Sequence, residues 1–299
     1  MQHNRPITFL AALLLLPFTA FAQPKNQPKP PADVTFTPNI TYGKAGDIEL
    51  KFNLAKPAKH DENSPPAPAI VLIHGGAWRA GHRDHHNAQA WQFAQRGYVA
   101  ITVSYRFCPE HVFPAQVHDV KCAVRYLRAH AKELNINPDR IGAVGFSAGA
   151  HLSMLLNTMN KDDGLEGDSG WPDVASKVNA AVAFFGPTDM PGDDLPPVTQ
   201  GLIKDFLGGL PKDKPEAYKQ SSPLTYVDAT DGPMLLFQGT KDVLVPHTQA
   251  FKMIEAMTKA NVKGRVEILV GAAHGWGGKE LEHTFEQMFK FFDEQLKKK

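Results

Sequence analysis

Gly145-Phe146-Ser147-Ala148-Gly149 sets one serine between two glycines, after a mostly apolar run at 141–144 and before a second one at 150–156. This is the spacing of a strand that turns sharply into a helix. Large side chains two residues to either side of the serine would clash. The turn leaves a hydroxyl clear of the strand tip, with the positive end of a helix beneath it. A serine hydroxyl is a weak nucleophile at neutral pH and needs a base. The chain has 13 histidines, so position must choose. His274 follows the last apolar run, in the glycine-rich "VGAAHGWGG", and Asp242 follows the run before it, in "GTKDVLVP". Asp228 and Asp231 precede that run and would fall at its wrong end. His247 opens a helix and reads as a surface or capping residue. The expected roles are therefore Ser147 as nucleophile, His274 as general base and then acid, and Asp242 as the group that orients the imidazole.

Acyl transfer also needs donors for a developing oxyanion, each worth roughly 3–4 kcal/mol of barrier. "HGGAW" (74–78) leaves another apolar run, and its small residues let backbone amides approach a substrate oxygen. Gly75, Gly76 and Ala77 are the candidates there, with the Ala148 amide beside the nucleophile. His74 reads as a pin for this loop. Trp78 and Trp276 are candidate substrate contacts, since an indole face stacks well on sugar or aryl rings; Trp171 reads as packing. "GHRDHH" (81–86) brings three histidines together. No carboxylate pair at helical spacing joins them, so they read as a solvated loop and not a metal site. No metal or organic cofactor is expected.

The elements that must position these residues alternate. Apolar runs at 69–76, 98–106, 137–146, 177–186, 232–242 and 264–275 read as strands. Helical spacing appears at 89–97, 115–133, 147–159, 247–261 and 283–296. This rhythm specifies a mostly parallel sheet flanked by helices. Residues 34–54 alternate weakly and read as an antiparallel pair at one edge. The stretch 187–231 is rich in Pro, Gly and Asp with little periodicity and reads as a cap-like insertion.

The 32 Lys and Arg nearly balance the 31 Asp and Glu, which argues against nucleic acid and anionic membrane as partners. The first 22 residues have a positive start, an apolar centre too short for a span and the small-residue site Ala20-Phe21-Ala22. They read as a cleavable signal peptide, which predicts a secreted or periplasmic protein with no span in its mature chain. Residues 23–33 form a Pro/Lys-rich linker, leaving 34–299 for the domain. Export would permit a disulfide between Cys108 and Cys122, the only two cysteines. An oligomeric state is not specified.

Together, His74 to Trp78, Gly145 to Gly149, and Asp242 with His274 resemble the α/β-hydrolase superfamily. The stretches 105–128, 221–227 and 239–246 are similar to those of hormone-sensitive-lipase-like carboxylesterases, in particular the bacterial acetylxylan and feruloyl esterase branch. The likeness covers roughly 40–295. It implies an α/β-hydrolase fold, ester hydrolysis through an acyl-enzyme, a small-molecule or polysaccharide-linked ester as substrate, and a bracing role for Tyr105 to Pro114. Ala77 departs from relatives that carry a third glycine there, which speaks against esters of tertiary alcohols. Two other readings use the same features: a peptidase of the prolyl-oligopeptidase type, and a non-catalytic carbohydrate-binding scaffold. The first usually carries a large N-terminal propeller for which this chain has no room, and a drifted scaffold tends to lose a member of the Ser, Asp and His set.

Overall fold

The computed structural model describes residues 29–297. The signal-peptide reading of 1–22, and the linker up to residue 28, lie outside the described residues. An eight-stranded sheet forms the centre, built from β1 (Val34–Ala45), β2 (Ile48–Pro57), β3 (Ala67–Ile73), β4 (Val99–Val103), β5 (Ile136–Phe146), β6 (Ala180–Phe184), β7 (Met234–Gly239) and β8 (Gly264–Leu269). Their spatial order is β1-β2-β4-β3-β5-β6-β7-β8. The β1–β2 and β2–β4 pairings are antiparallel and all others parallel. Every residue of β3, β4, β6 and β7 is buried. That is why these strands read as mostly apolar runs: helices cover both faces of a parallel sheet.

Among the described residues, eight α-helices surround the sheet: α1 (Asn87–Gln95), α2 (Ala115–Ala129), α3 (Ala131–Leu134), α4 (Ala148–Thr158), α5 (Pro197–Leu207), α6 (Pro215–Gln220), α7 (His247–Lys259) and α8 (Gly278–Phe292). Strand alternation sorts the core into layers. Ile70 and Leu72 of β3 share a cluster with Phe93 of α1 and Phe289 and Phe292 of α8. Val71 and Ile73 point the other way, into a cluster with Val117 and Val124 of α2 and Leu152 and Leu155 of α4. α7 covers the far end of that second face, with Met253 and Met257 against Met234 and Leu236 of β7.

The segment 187–231, expected to lack periodicity, contains α5 and α6. Thr199, Ile203, Phe206 and Leu207 are the buried face of α5, a helical spacing that Gly201 and the preceding prolines obscure in the sequence. Cys108 and Cys122 are free, which corrects the disulfide expectation. Cys108 lies in the loop after β4, its Sγ 3.9 Å from the Ala77 carbonyl. Cys122 faces β1 from α2, with Sγ 3.5 Å from the Tyr42 carbonyl. Among the described residues no helix is long and apolar enough to cross a membrane.

Candidate active site

The carboxyl ends of β3, β5, β7 and β8 carry the loops that hold Gly75, Ser147, Asp242 and His274. In open α/β sheets this rim is where ligands bind. Ser147 occupies the turn between β5 and α4 with φ 54° and ψ −119°, a left-handed backbone unusual for a side chain. Its amide donates to the Phe184 carbonyl at 2.8 Å, and its carbonyl accepts from His151 N–H at 3.1 Å. The flanking glycines are required by contact. A Cβ on Gly145 would collide with the Gly149 carbonyl, and one on Gly149 with the Ile73 carbonyl of β3.

His274 bridges the other two side chains. Its Nε2 stands 2.8 Å from Ser147 Oγ and its Nδ1 2.8 Å from Asp242 Oδ2. The Asp242 carboxylate is fully buried. Its Oδ1 accepts from the Leu244 and Val245 amides at 2.9 and 2.8 Å. Its Oδ2 also accepts from Gln238 Nε2 at 2.9 Å. Four donors fix the carboxylate in place, so Nδ1–H points at it and Nε2 presents its lone pair to the serine. The Asp242 and His274 loops are tied to each other: Lys241 N–H donates to the Ala272 carbonyl and Gly271 N–H to Thr240 Oγ1, both at 2.8 Å.

The loop after β3 lies against the elbow. A Cβ on Gly75 would come within 2.7 Å of the Phe146 carbonyl and 3.2 Å of Ser147 Cβ. Gly76, Ala77 and Trp78 all have positive φ, of 115°, 51° and 57°. Glycine is unstrained there, whereas an alanine or tryptophan costs about 1–2 kcal/mol. Ala148 opens α4, so its amide has no intrahelical acceptor and is free to face an anion. Gly75 and Ala148 therefore lie beside the serine, and Gly76 and Ala77 follow Gly75 in the same turn. His74 is buried behind them. Its Nδ1–H donates to the Gly75 carbonyl at 2.8 Å, its ring stacks on Tyr105 at 4.5 Å, and Tyr105 Oη donates to the His74 carbonyl at 3.0 Å. Burial pushes the His74 pKa down to about 3, so the ring stays neutral.

Trp78 does not line the mouth. It is 3% exposed, stacked on Phe206 of α5 at 4.4 Å, with Nε1–H donating to His151 Nδ1 at 3.1 Å. The left-handed loop turns this indole inward, which corrects its expected role as a substrate contact. Trp276 is half-buried, donating from Nε1 to Thr284 Oγ1 at 3.0 Å. Between it and the histidine stands Phe185, at the tip of β6, 4.7 Å from the His274 ring and 5.2 Å from Trp276. Of the 81–86 histidines only His85 is exposed, and His86 stacks on Phe146 at 4.2 Å. The loop thus braces the elbow and is less solvated than expected. The described residues contain no group of three or more metal-ligating side chains.

Gln238 and Phe185 were missed from sequence. Both sit at the ends of strands beside the chosen loops, a positional signal too common to single them out. The arrangement as a whole can move a proton from a hydroxyl to an imidazole while amides receive the charge that develops.

A mostly parallel sheet, a serine elbow and loops gathered at one rim define an α/β hydrolase of the hormone-sensitive-lipase-like kind. The chain belongs to the BD-FAE family, whose model matches residues 53–257. It is similar to esterase LipC of Mycobacterium tuberculosis, at 29% identity over 73% of this chain and 55% of that protein. The chain spans about half the length of the curated relatives it matches. Among solved structures it resembles a truncated carbohydrate esterase from gut microbiota, with TM-score 0.76, 28% identity, and coverage of 90% of this chain and 99% of that one. It also resembles Thermogutta terrifontis esterase 2 phosphorylated by paraoxon, with TM-score 0.74, 30% identity, and coverage of 89% and 95%.

Proposed function

We propose that this protein is an exported serine carboxylesterase. The observation that carries the reading is His274 lying 2.8 Å from both Ser147 Oγ and Asp242 Oδ2. Ser147 Oγ attacks the ester carbonyl and passes its proton to His274 Nε2, while the Gly75–Ala77 and Ala148 amides receive the oxyanion. Nε2 returns the proton to the leaving alcohol, and the acyl group stays on the serine. Water then gives a proton to Nε2, attacks the acyl carbon and releases the acid, regenerating the hydroxyl. Acetyl or feruloyl esters of plant polysaccharides are the proposed substrate class. The likeness to the gut carbohydrate esterase across nearly that whole chain supports this choice.

Ser147→Ala should abolish turnover of p-nitrophenyl acetate with the circular dichroism spectrum unchanged, and should remove labelling by a fluorophosphonate probe. Burst kinetics retained in that variant would refute the assignment. A panel of acetyl, butyryl and feruloyl esters on simple and xylan-derived alcohols tests the substrate class, and equal rates across it would sink the polysaccharide reading.

A further inference from the structure

Three parts of the molecule that the chemistry must hold in register meet on one side chain. His151 lies on α4, one turn after the nucleophile, and is fully buried. Its Nδ1 accepts from Trp78 Nε1–H at 3.1 Å, and Trp78 belongs to the left-handed turn that carries the candidate oxyanion amides. Its Nε2–H donates to the Ser221 carbonyl, just past α6 in the 187–231 segment, at 2.6 Å. Its own backbone amide donates to the Ser147 carbonyl at 3.1 Å. The two side-chain bonds fix the tautomer: an indole can only donate, so Nδ1 must be bare, and a carbonyl can only accept, so Nε2 must carry the hydrogen. Phe206 of α5 closes the arrangement, stacked on Trp78 and edge-on to His151 at 5.7 Å.

The strain in the loop makes this contact matter. Ala77 and Trp78 are consecutive non-glycine residues in the left-handed region. Such a conformation persists only where its surroundings impose it. Within its core cluster, this tryptophan is held by the Cys108 N–H bond to its carbonyl at 2.9 Å, by the Phe206 face and by the bond to His151.

We infer that His151 is a positioning residue for the esterase reaction: through the Trp78 indole it sets the Gly75–Ala77 amides relative to Ser147, and through Ser221 it ties that setting to the 187–231 segment. The inference rests on the esterase reading and adds a residue that touches neither the substrate nor the reacting atoms. Because the amides matter most once the carbonyl oxygen is charged, loosening them lowers kcat far more than it raises KM.

The test compares His151→Phe, which keeps the ring but removes both bonds, with His151→Gln, whose amide can accept from the indole and donate to a carbonyl. The substrate is p-nitrophenyl acetate. The inhibitor is a trifluoromethyl ketone, whose adduct carries an oxyanion. His151→Phe should lower kcat by about 10- to 100-fold, with KM within about twofold and inhibitor affinity falling in proportion to kcat. His151→Gln should recover most of the loss. Trp78→Phe should show the same kcat-selective defect, and the double variant should be no worse than the more affected single one, since both remove the Trp78–His151 contact. If His151→Phe does not fold, Trp78→Phe and His151→Gln carry the test. Unchanged kcat or unchanged inhibitor affinity in folded variants overturns the inference, as do additive losses. An inactive wild type instead removes the esterase reading, and the inference falls with it.

Discussion

Gln238 and His274 share one oxygen: both donate to Asp242 Oδ2, at 2.9 and 2.8 Å. Gln238 also donates to the Val245 carbonyl at 2.7 Å, so one buried amide group spans the turn that presents the carboxylate. Removing it frees Asp242 to rotate and leaves an acceptor without its donor. Gln238→Ala should lower kcat on p-nitrophenyl acetate by about tenfold, and stability by about 1–3 kcal/mol in urea titrations. Wild-type kcat in that variant would show that the backbone amides of Leu244 and Val245 suffice.

Gly149 marks where the elbow cannot yield. Its missing side chain admits the Ile73 carbonyl of β3, so an added methyl pushes α4 away from the sheet. In a Ser147→Ala background, Gly149→Ala should cost more than about 2 kcal/mol, because the obstruction is backbone and not a movable side chain. An unaltered urea midpoint would contradict the close approach.

Acid should unfold the protein through three histidine rings. Burial pushes His74 down to about 3, and His86 and His151 down to about 4. In the unfolded chain all three titrate near 6.5. The unfolded state therefore binds more protons below pH 6.5, and stability falls as pH drops from there towards the folded values. Each ring should remove roughly 2 kcal/mol between pH 7 and pH 5. In His151→Phe the fall over that interval should be shallower by about one histidine's share. A slope unchanged by that substitution would place the acid sensitivity elsewhere.

What could be read ahead of the coordinates depended on how local the constraint is. The elbow is a local steric problem, and its glycines stand in the sequence for that reason. The buried parallel strands read well because burial on both faces keeps them almost wholly apolar, with Gln238 near the end of β7 as an exception. Asp242 and His274 could be chosen because chain order assigns them to successive strand tips, and in the structure they stand beside Ser147. The cap helices were obscured: α5 is apolar on one face only, and Gly201 and the prolines weaken its pattern. Trp78 misled because its inward turn depends on backbone angles and on Phe206, more than 120 residues away. Gln238 had no signature, since one glutamine at a strand end means nothing until its neighbour across the turn is known.

Both sulfurs rest as thiols against separate carbonyls, one in the loop after β4 and one on the inner side of α2. Burial pushes the Cys122 thiol up to about 11, which keeps it protonated and slow to react. Covalent cross-links therefore contribute nothing to this architecture. Dithiothreitol should leave its melting temperature unchanged, and a host compartment rich in glutathione should yield the same molecule as an oxidising one.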